Sequence, residues 1–250
     1  MKILAVETAT SLQSVALLDG SSVVASSTAD ASQSHAKHLI PMIDRLLLTT
    51  GWTLTTLEGL AISIGPGSFT GLRVGLATML GFRSVTKLPL VAVPTLEGLC
   101  WNMHMADRPI CSVLRARPGE VYWAQYRWAG SGRLEPLGTE QVGSLESLIQ
   151  SLDGATIVVG DGWQVNHDQF RRLLGARALD VIEASPEKMG ASAVSIGLAG
   201  FEMLRKGRVA EHSIAPRYVQ RAEAEIVWER RSVSGVTLKV GKLQSRRLKV

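Results

Sequence analysis

A chain of 250 residues, 46% apolar and 20% charged, can bury roughly 70% of the surface its unfolded form exposes, which excludes a disordered chain or a fold that needs covalent staples. Its two cysteines, Cys100 and Cys111, form no CxxC pair, which excludes a disulfide framework and a cysteine-built zinc ribbon and points to a reducing compartment. The net charge of +5 excludes nothing for the body, because the eight basic and three acidic residues of 221–250 account for all of it.

The apolar run Ile3 to Val6 meets Glu7 too soon for a signal-peptide core. Arg73, Arg83 and Lys87 interrupt the most apolar region, well short of the ~20 residues a membrane span requires. The expectation is a cytoplasmic protein without a membrane segment.

In chain order, Lys2 to Val6 predicts a strand, followed by the turn-like Glu7-Thr8-Ala9-Thr10-Ser11. Ser14 to Leu18 and Val23 to Ser26 flank Asp19-Gly20, the pattern of a β-hairpin. Leu39, Met42, Ile43, Leu46 and Leu47 then recur at helical spacing, with Pro41 in an early turn or at a kink. Leu60 to Ile64 predicts a buried strand, Ser68 to Ser84 a helix and Leu90 to Val93 a strand. This βββαβαβ order is that of a ribonuclease-H-like lobe.

The pattern then partly repeats. Ile110 to Leu114 and Val121 to Tyr126 flank Arg117-Pro118-Gly119, where Pro-Gly suits a type II turn. Thr156 to Val159 predicts another strand, and Gln169 to Leu174 and Ala191 to Leu204 predict helices. Periodicity breaks at His104 to Pro109, so the expected organisation is an N-terminal lobe at 1–105, a reduced C-terminal lobe at 110–220 and a basic tail at 221–250, with a cleft between the lobes.

Two segments carry candidate chemistry. Ser63 to Gly75 is a Gly-rich turn that leaves a strand and opens a helix; Ser68 or Thr70 can cap it, and free backbone N–H groups there would attract an anion. It lacks the Gly-Lys-[Ser/Thr] ending of a Walker A loop. Gly67, Gly71 and Gly75 recur every four residues, which suits close approach of another helix or packing inside the chain. The second segment, Glu7 to Ser11, puts a carboxylate and hydroxyls at the end of the first strand, where phosphate or metal-bound water would sit; a solvated turn fits equally. Candidate nucleotide- or anion-binding residues are therefore Glu7, Thr8, Gly65, Gly67, Ser68, Thr70 and Arg73.

Glu7-Thr8-Ala9-Thr10, Ser14 to Leu17, Gly65 to Gly75, Gly119 to Ala124, Gly160-Asp161-Gly162-Trp163 and Pro216-Arg217-Tyr218 together resemble the TsaB family, in that order. The resemblance implies a fold of two ribonuclease-H-like lobes of the actin/sugar-kinase/Hsp70 type. It further implies a non-catalytic scaffold that pairs with a TsaD-like catalytic subunit to modify adenosine 37 of tRNA, together with a TsaE-like ATPase. A homodimer when alone, and ATP, ADP or a metal ion held only through the partner complex, belong to the same expectation. The partner surface is expected on two first-lobe helices, through Leu39, Met42, Ile43 and Leu46 from one and Gly71, Leu72, Gly75, Leu76 and Met79 from the other. The alternative is an active ATP-dependent carbamoyltransferase or kinase of the same fold.

No catalytic or metal-binding residue is assigned. TsaD-like enzymes resemble this chain around Leu96-Glu97-Gly98, but Thr95 and Leu99 stand where their His-x3-His pair would be, and leucine cannot ligate a metal. The same loss counts against a metallopeptidase. His35 and His38 have no carboxylate or Cys at a matching interval, and His104 stands alone. Trp163 is expected to fill an adenosine-binding turn, and Arg115-Ala116-Arg117 reverses a charge relative to the family's Asp-Ala-Arg. The run 232–250, with Lys239, Lys242, Arg246, Arg247 and Lys249 and no acid, either adds phosphate contacts or is a solvated end.

Overall fold

The central strands are almost uninterrupted apolar runs, which is what a strand covered on both faces requires. A computed structural model describes residues 1–31, 35–130, 132–175, 180–210 and 214–219. The basic tail 221–250 lies outside the described residues. In the first sheet, β1 (Lys2–Glu7), β2 (Leu12–Asp19), β3 (Ser22–Asp30), β4 (Gly59–Ser63) and β5 (Leu90–Val93) lie in the order β3-β2-β1-β4-β5. The first three are antiparallel and the last two run parallel to β1. The Asp19-Gly20 signal makes the β2–β3 hairpin, with Asp19 opposite Ser22.

The second sheet repeats this plan. β6 (Ile110–Arg115), β7 (Glu120–Trp128) and β8 (Leu134–Pro136) are antiparallel, and β10 (Thr156–Val159) and β11 (Val181–Glu183) follow parallel to β6, in the order β8-β7-β6-β10-β11. β9 (Gln141–Ser144) pairs with β7 beside β8. The reduction expected of this lobe lies in β8 and β11, of three residues each. Gly119, at φ +82°, and the Glu120 N–H donating to the Arg117 carbonyl at 2.9 Å form the expected type II turn.

Helices cover the first sheet on both faces. α1 (His35–Thr50) and α2 (Phe69–Thr86) bury Leu39, Ile43, Leu46, Leu76 and Met79 against Leu4, Val6, Leu60 and Ile62. The opposite face, with Ile3, Ala5 and Ala61, is covered by α7 (Ala193–Arg205) through Ile196 and Ala199. α7 falls within the stretch expected to be the C-terminal lobe, yet it packs on β1, β2, β4 and β5. α3 (Thr95–Cys100) makes the reverse crossing, with Leu96 and Leu99 in the core of the second sheet. That core also holds α4 (Leu145–Ser151), α5 (Asp161–Val165) and α6 (His167–Gly175). Each lobe therefore borrows a helix from the other half of the sequence.

These contacts correct the expected partner surface. Leu39, Ile43, Leu46, Gly71, Leu72, Gly75, Leu76 and Met79 are all buried in the chain's own body. Met42 is half-buried in a groove between α1 and β3. A Cβ on Gly75 would stand 2.2 Å from Thr8 Oγ1 and 3.1 Å from Ile62 Cδ1, so the glycine lets α2 approach its own sheet and not a partner. What α1 and α2 present outward is Ile40 and Leu48 from one and Ala77, Gly81 and Val85 from the other.

Candidate functional site: the cleft between the two sheets

The two sheets turn equivalent strand ends toward each other. The loop after β1 supplies Ala9, Thr10 and Ser11; the turn before α2 supplies Gly67 and Ser68; the end of β6 supplies Leu114 and Arg115, followed by Ala116; and α5 supplies Asp161. They enclose about 200 Å³. Small-molecule pockets usually run to about 300–1,000 Å³.

On the first-lobe side, donors that an anion would need are used within the chain. The Ser68 N–H donates to the Ala9 carbonyl at 2.6 Å, and Gly71 N–H to the capping Ser68 Oγ at 3.2 Å. A Cβ on Gly67 would stand 2.2 Å from the Ala9 oxygen, so the two loops are in direct contact where a phosphate would have to enter. On the second-lobe side the Gly160-Asp161-Gly162-Trp163 turn packs onto β6, with a Cβ on Gly160 only 1.9 Å from the Val113 oxygen. Trp163 is fully buried behind it, stacked on Phe170 with centroids 4.2 Å apart and planes 11° apart. The residues present do not fit a nucleotide.

Glu7 is buried behind the cleft floor. Its carboxylate accepts from Ala9 N–H at 2.5 Å, Ser63 Oγ at 3.3 Å and Thr10 Oγ1 at 3.4 Å. Burial pushes its pKa up to about 7 against those donors, and Asp161 across the cleft pushes in the same direction. Asp161 is itself raised by burial, opposed by the Arg115 N–H that donates to its Oδ1 at 3.1 Å. Both carboxyls are thus tied to backbone N–H groups, Glu7 to the loop after β1 and Asp161 to the end of β6.

Of the candidate anion-binding residues, only Gly67 and Ser68 line the cleft. Glu7 and Thr8 lie buried behind it, Gly65 packs under Arg217, and Thr70 and Arg73 are on the outer surface of α2. Thr95 and Leu99, where the resemblance led to the expectation that a metal pair is lost, have structural roles: Thr95 Oγ1 accepts from Gly65 N–H at 3.0 Å, and Leu99 is buried in the second core. Among the described residues, no three His, Cys, Asp or Glu side chains are grouped to hold a metal. His38 is exposed, and His104 stacks on Trp101 with centroids 5.4 Å apart.

The sequence pattern gave no signal for a strap that closes the other side of the interlobe region. Residues 214–219 return to the first lobe, where Arg217 N–H donates to the Ile64 carbonyl at 2.6 Å. The Arg217 guanidinium reaches the second lobe, with Nε 3.2 Å from Glu140 Oε2. Only 7% of the Glu140 side chain is exposed, and burial raises its pKa, opposed by Arg217 and reinforced by Glu97. Arg217→Ala is expected to destabilise the fold by about 2 kcal/mol, below the range for fully buried pairs because Arg217 itself is half-exposed. Adding Glu140→Gln should restore most of the loss, as read from urea midpoints in a double-mutant cycle.

A family profile described as "TsaD: tRNA N6-adenosine threonylcarbamoyltransferase" matches residues 22–228. A protein of Escherichia coli named "tRNA threonylcarbamoyladenosine biosynthesis protein TsaB" is 37% identical over 170 residues, covering 66% of this chain and 73% of the relative. The chain belongs to the TsaB family. A Haemophilus influenzae TsaB is 29% identical over 249 residues, covering 92% of this chain and 97% of the relative. Among solved structures, YeaZ from Pseudomonas aeruginosa superimposes with a TM-score of 0.72 at 26% identity, over 87% of this chain and 99% of that one. The ethanolamine utilization protein EutJ of Carboxydothermus hydrogenoformans, at 13% identity and a TM-score of 0.52 over 79% of this chain, shares the fold alone. The expected two-lobed architecture is therefore that of this TsaB-family chain. The profile named for the transferase spans both lobes.

Proposed function

We propose that this chain is a non-catalytic scaffold subunit in the formation of threonylcarbamoyladenosine at adenosine 37 of tRNA, binding a TsaD-like catalytic subunit in the cytoplasm. The cleft carries this reading: its phosphate side is filled by the Ala9–Ser68 contact and its volume is too small for a nucleotide. ATP turnover, with its metal ion, is then the work of the catalytic subunit and a TsaE-like ATPase. The chain contributes a surface, which it uses for a homodimer when alone. No helix among the described residues is long and apolar enough to cross a membrane, in keeping with this setting.

The outward faces of α1 and α2 supply that surface. The two helices pack side by side on one face of the first sheet, and Leu48 and Val85 stand 72% and 82% exposed on them. Association through these faces would cover both side chains. Val85→Asp is expected to weaken capture of the TsaD-like subunit at least tenfold, measured by titration calorimetry, with the melting temperature unchanged. Equal affinity would place the interface elsewhere.

The transferase description of the matching profile favours a second reading, an enzyme active by itself. It predicts metal-dependent ATP turnover by the purified chain, whereas a scaffold predicts none.

A further inference from the structure

Of the strands at the sheet edges, β3 is the longest among the described residues, with nine residues against four in β5 and β9 and three in β8 and β11. Among those residues it pairs with β2 along one side and with no strand along the other. At the opposite edge of the same sheet the chain caps itself, because Ala210 N–H donates to the Leu90 carbonyl of β5 at 2.9 Å. The unpaired N–H and C=O groups of an edge are a template for another strand, which is why edges are usually blunted by lysine, proline or inward charges. Ser22–Asp30 contains no lysine or proline, and its one charge stands at the last position.

Beside this edge, between β3 and α1, runs a groove of about 560 Å³. Its strand wall carries only serine and alanine, including Ser27 and Ala29, so the space is left for side chains from outside. Its helix wall, from His38 to Thr49, is about 16 Å long at 1.5 Å per residue, which spans about five residues of extended chain. Met42, half-buried, supplies apolar surface there. Ile40 and Leu48, on the face proposed above for the catalytic subunit, do not line it. The charge of the groove indicates what fits: its lining includes His38 and Arg45 and no carboxylate. Arg45 is exposed and makes no ion pair among the described residues. A strand added to β3 would turn every second side chain toward α1, an apolar one to Met42 and an acidic one to Arg45.

We propose that the β3 edge and the groove beside it take up an extended acidic segment of a partner protein as a further strand of the first sheet. This does not rest on the scaffold reading, because it can be read on the full chain alone. The probe is a labelled peptide as long as β3, with threonine at every second position and valine and glutamate alternating between, followed by fluorescence anisotropy. It is expected to bind and to protect amides of 22–30 from hydrogen exchange. The same peptide with lysine for glutamate should bind about tenfold more weakly. Arg45→Glu, a change on the helix surface, should reverse that preference, since like charges then meet. A strand turns alternate N–H groups to opposite sides, so N-methylation of one alternating set of peptide amides should abolish binding while methylation of the other set leaves it intact. No binding of the glutamate peptide, equal affinity for the two charges, or equal effects of the two methylation patterns would overturn the proposal. So would binding that occurs only by splitting a dimer of this chain, which makes a second copy the occupant, or only after removal of 220–250, which makes the chain's own end the occupant.

Discussion

Gly75→Leu is expected to prevent stable folding, costing about 3 kcal/mol or more. Overpacking a filled interior usually costs 1–3 kcal/mol and exceeds that where backbone must move. Here the first added carbon already stands 2.2 Å from Thr8 Oγ1, on the loop leaving the central strand β1. Thr8 is fully buried, so it has no solvent to swing into, and Ile62 closes the remaining space. α2 would have to lift from the sheet, opening the core that holds Leu76 and Met79. Gly81→Leu makes the contrast on the same helix: nothing lies within 4 Å of its added Cβ. Removing a glycine from a helix interior there should stabilise by about 0.5–1 kcal/mol. Urea denaturation of the two variants gives opposite signs if α2 is oriented as described. Equal, small effects would mean that Gly75 faces outward.

Glu7→Gln is expected to change the pH dependence of stability by about 3 kcal/mol. The carboxyl titrates near its model value of 4.5 when the chain is unfolded and at about 7 when folded. Between those values the folded state binds the extra proton, so wild-type stability falls as pH rises from about 4.5 to about 7 and is flat in this respect above. The separation, at 1.36 kcal/mol per pKa unit, sets the size of the fall. Glutamine can still accept from the Ala9 N–H and carries no charge to desolvate. Its unfolding free energy should therefore lack that fall and exceed the wild-type value above pH 7. Glu97 and Glu140 are also raised by burial and contribute to both proteins alike, so the difference between the two curves reports Glu7 together with its coupling to Asp161 across the cleft. Parallel curves from pH 4 to 8 would contradict the buried, ionising carboxyl.

The sequence by itself determined the local chemistry of this protein. The Asp19-Gly20 hairpin, the Pro118-Gly119 turn, the Ser68 cap and the β5 strand follow from turn geometry and short-range periodicity, and they appear where those rules put them. Tertiary structure decided which faces meet. α2 carries apolar residues nearly all the way round, from Phe69 and Leu72 to Leu80, Phe82 and Val85, so its period does not say which side is inside. Gly75 reads as a docking notch or a packing notch until Thr8 is placed against it. α3 and α7 crossed to each other's sheets because the choice of sheet is a matter of non-local contact, which helical spacing does not encode. β8 and β11, with three residues each, are too short to show an alternation, and the strap that carries Arg217 and Tyr218 has no period at all. Its place is set by one backbone hydrogen bond to Ile64, an ion pair with Glu140 and a ring on Phe69, all with partners more than seventy residues away in the chain.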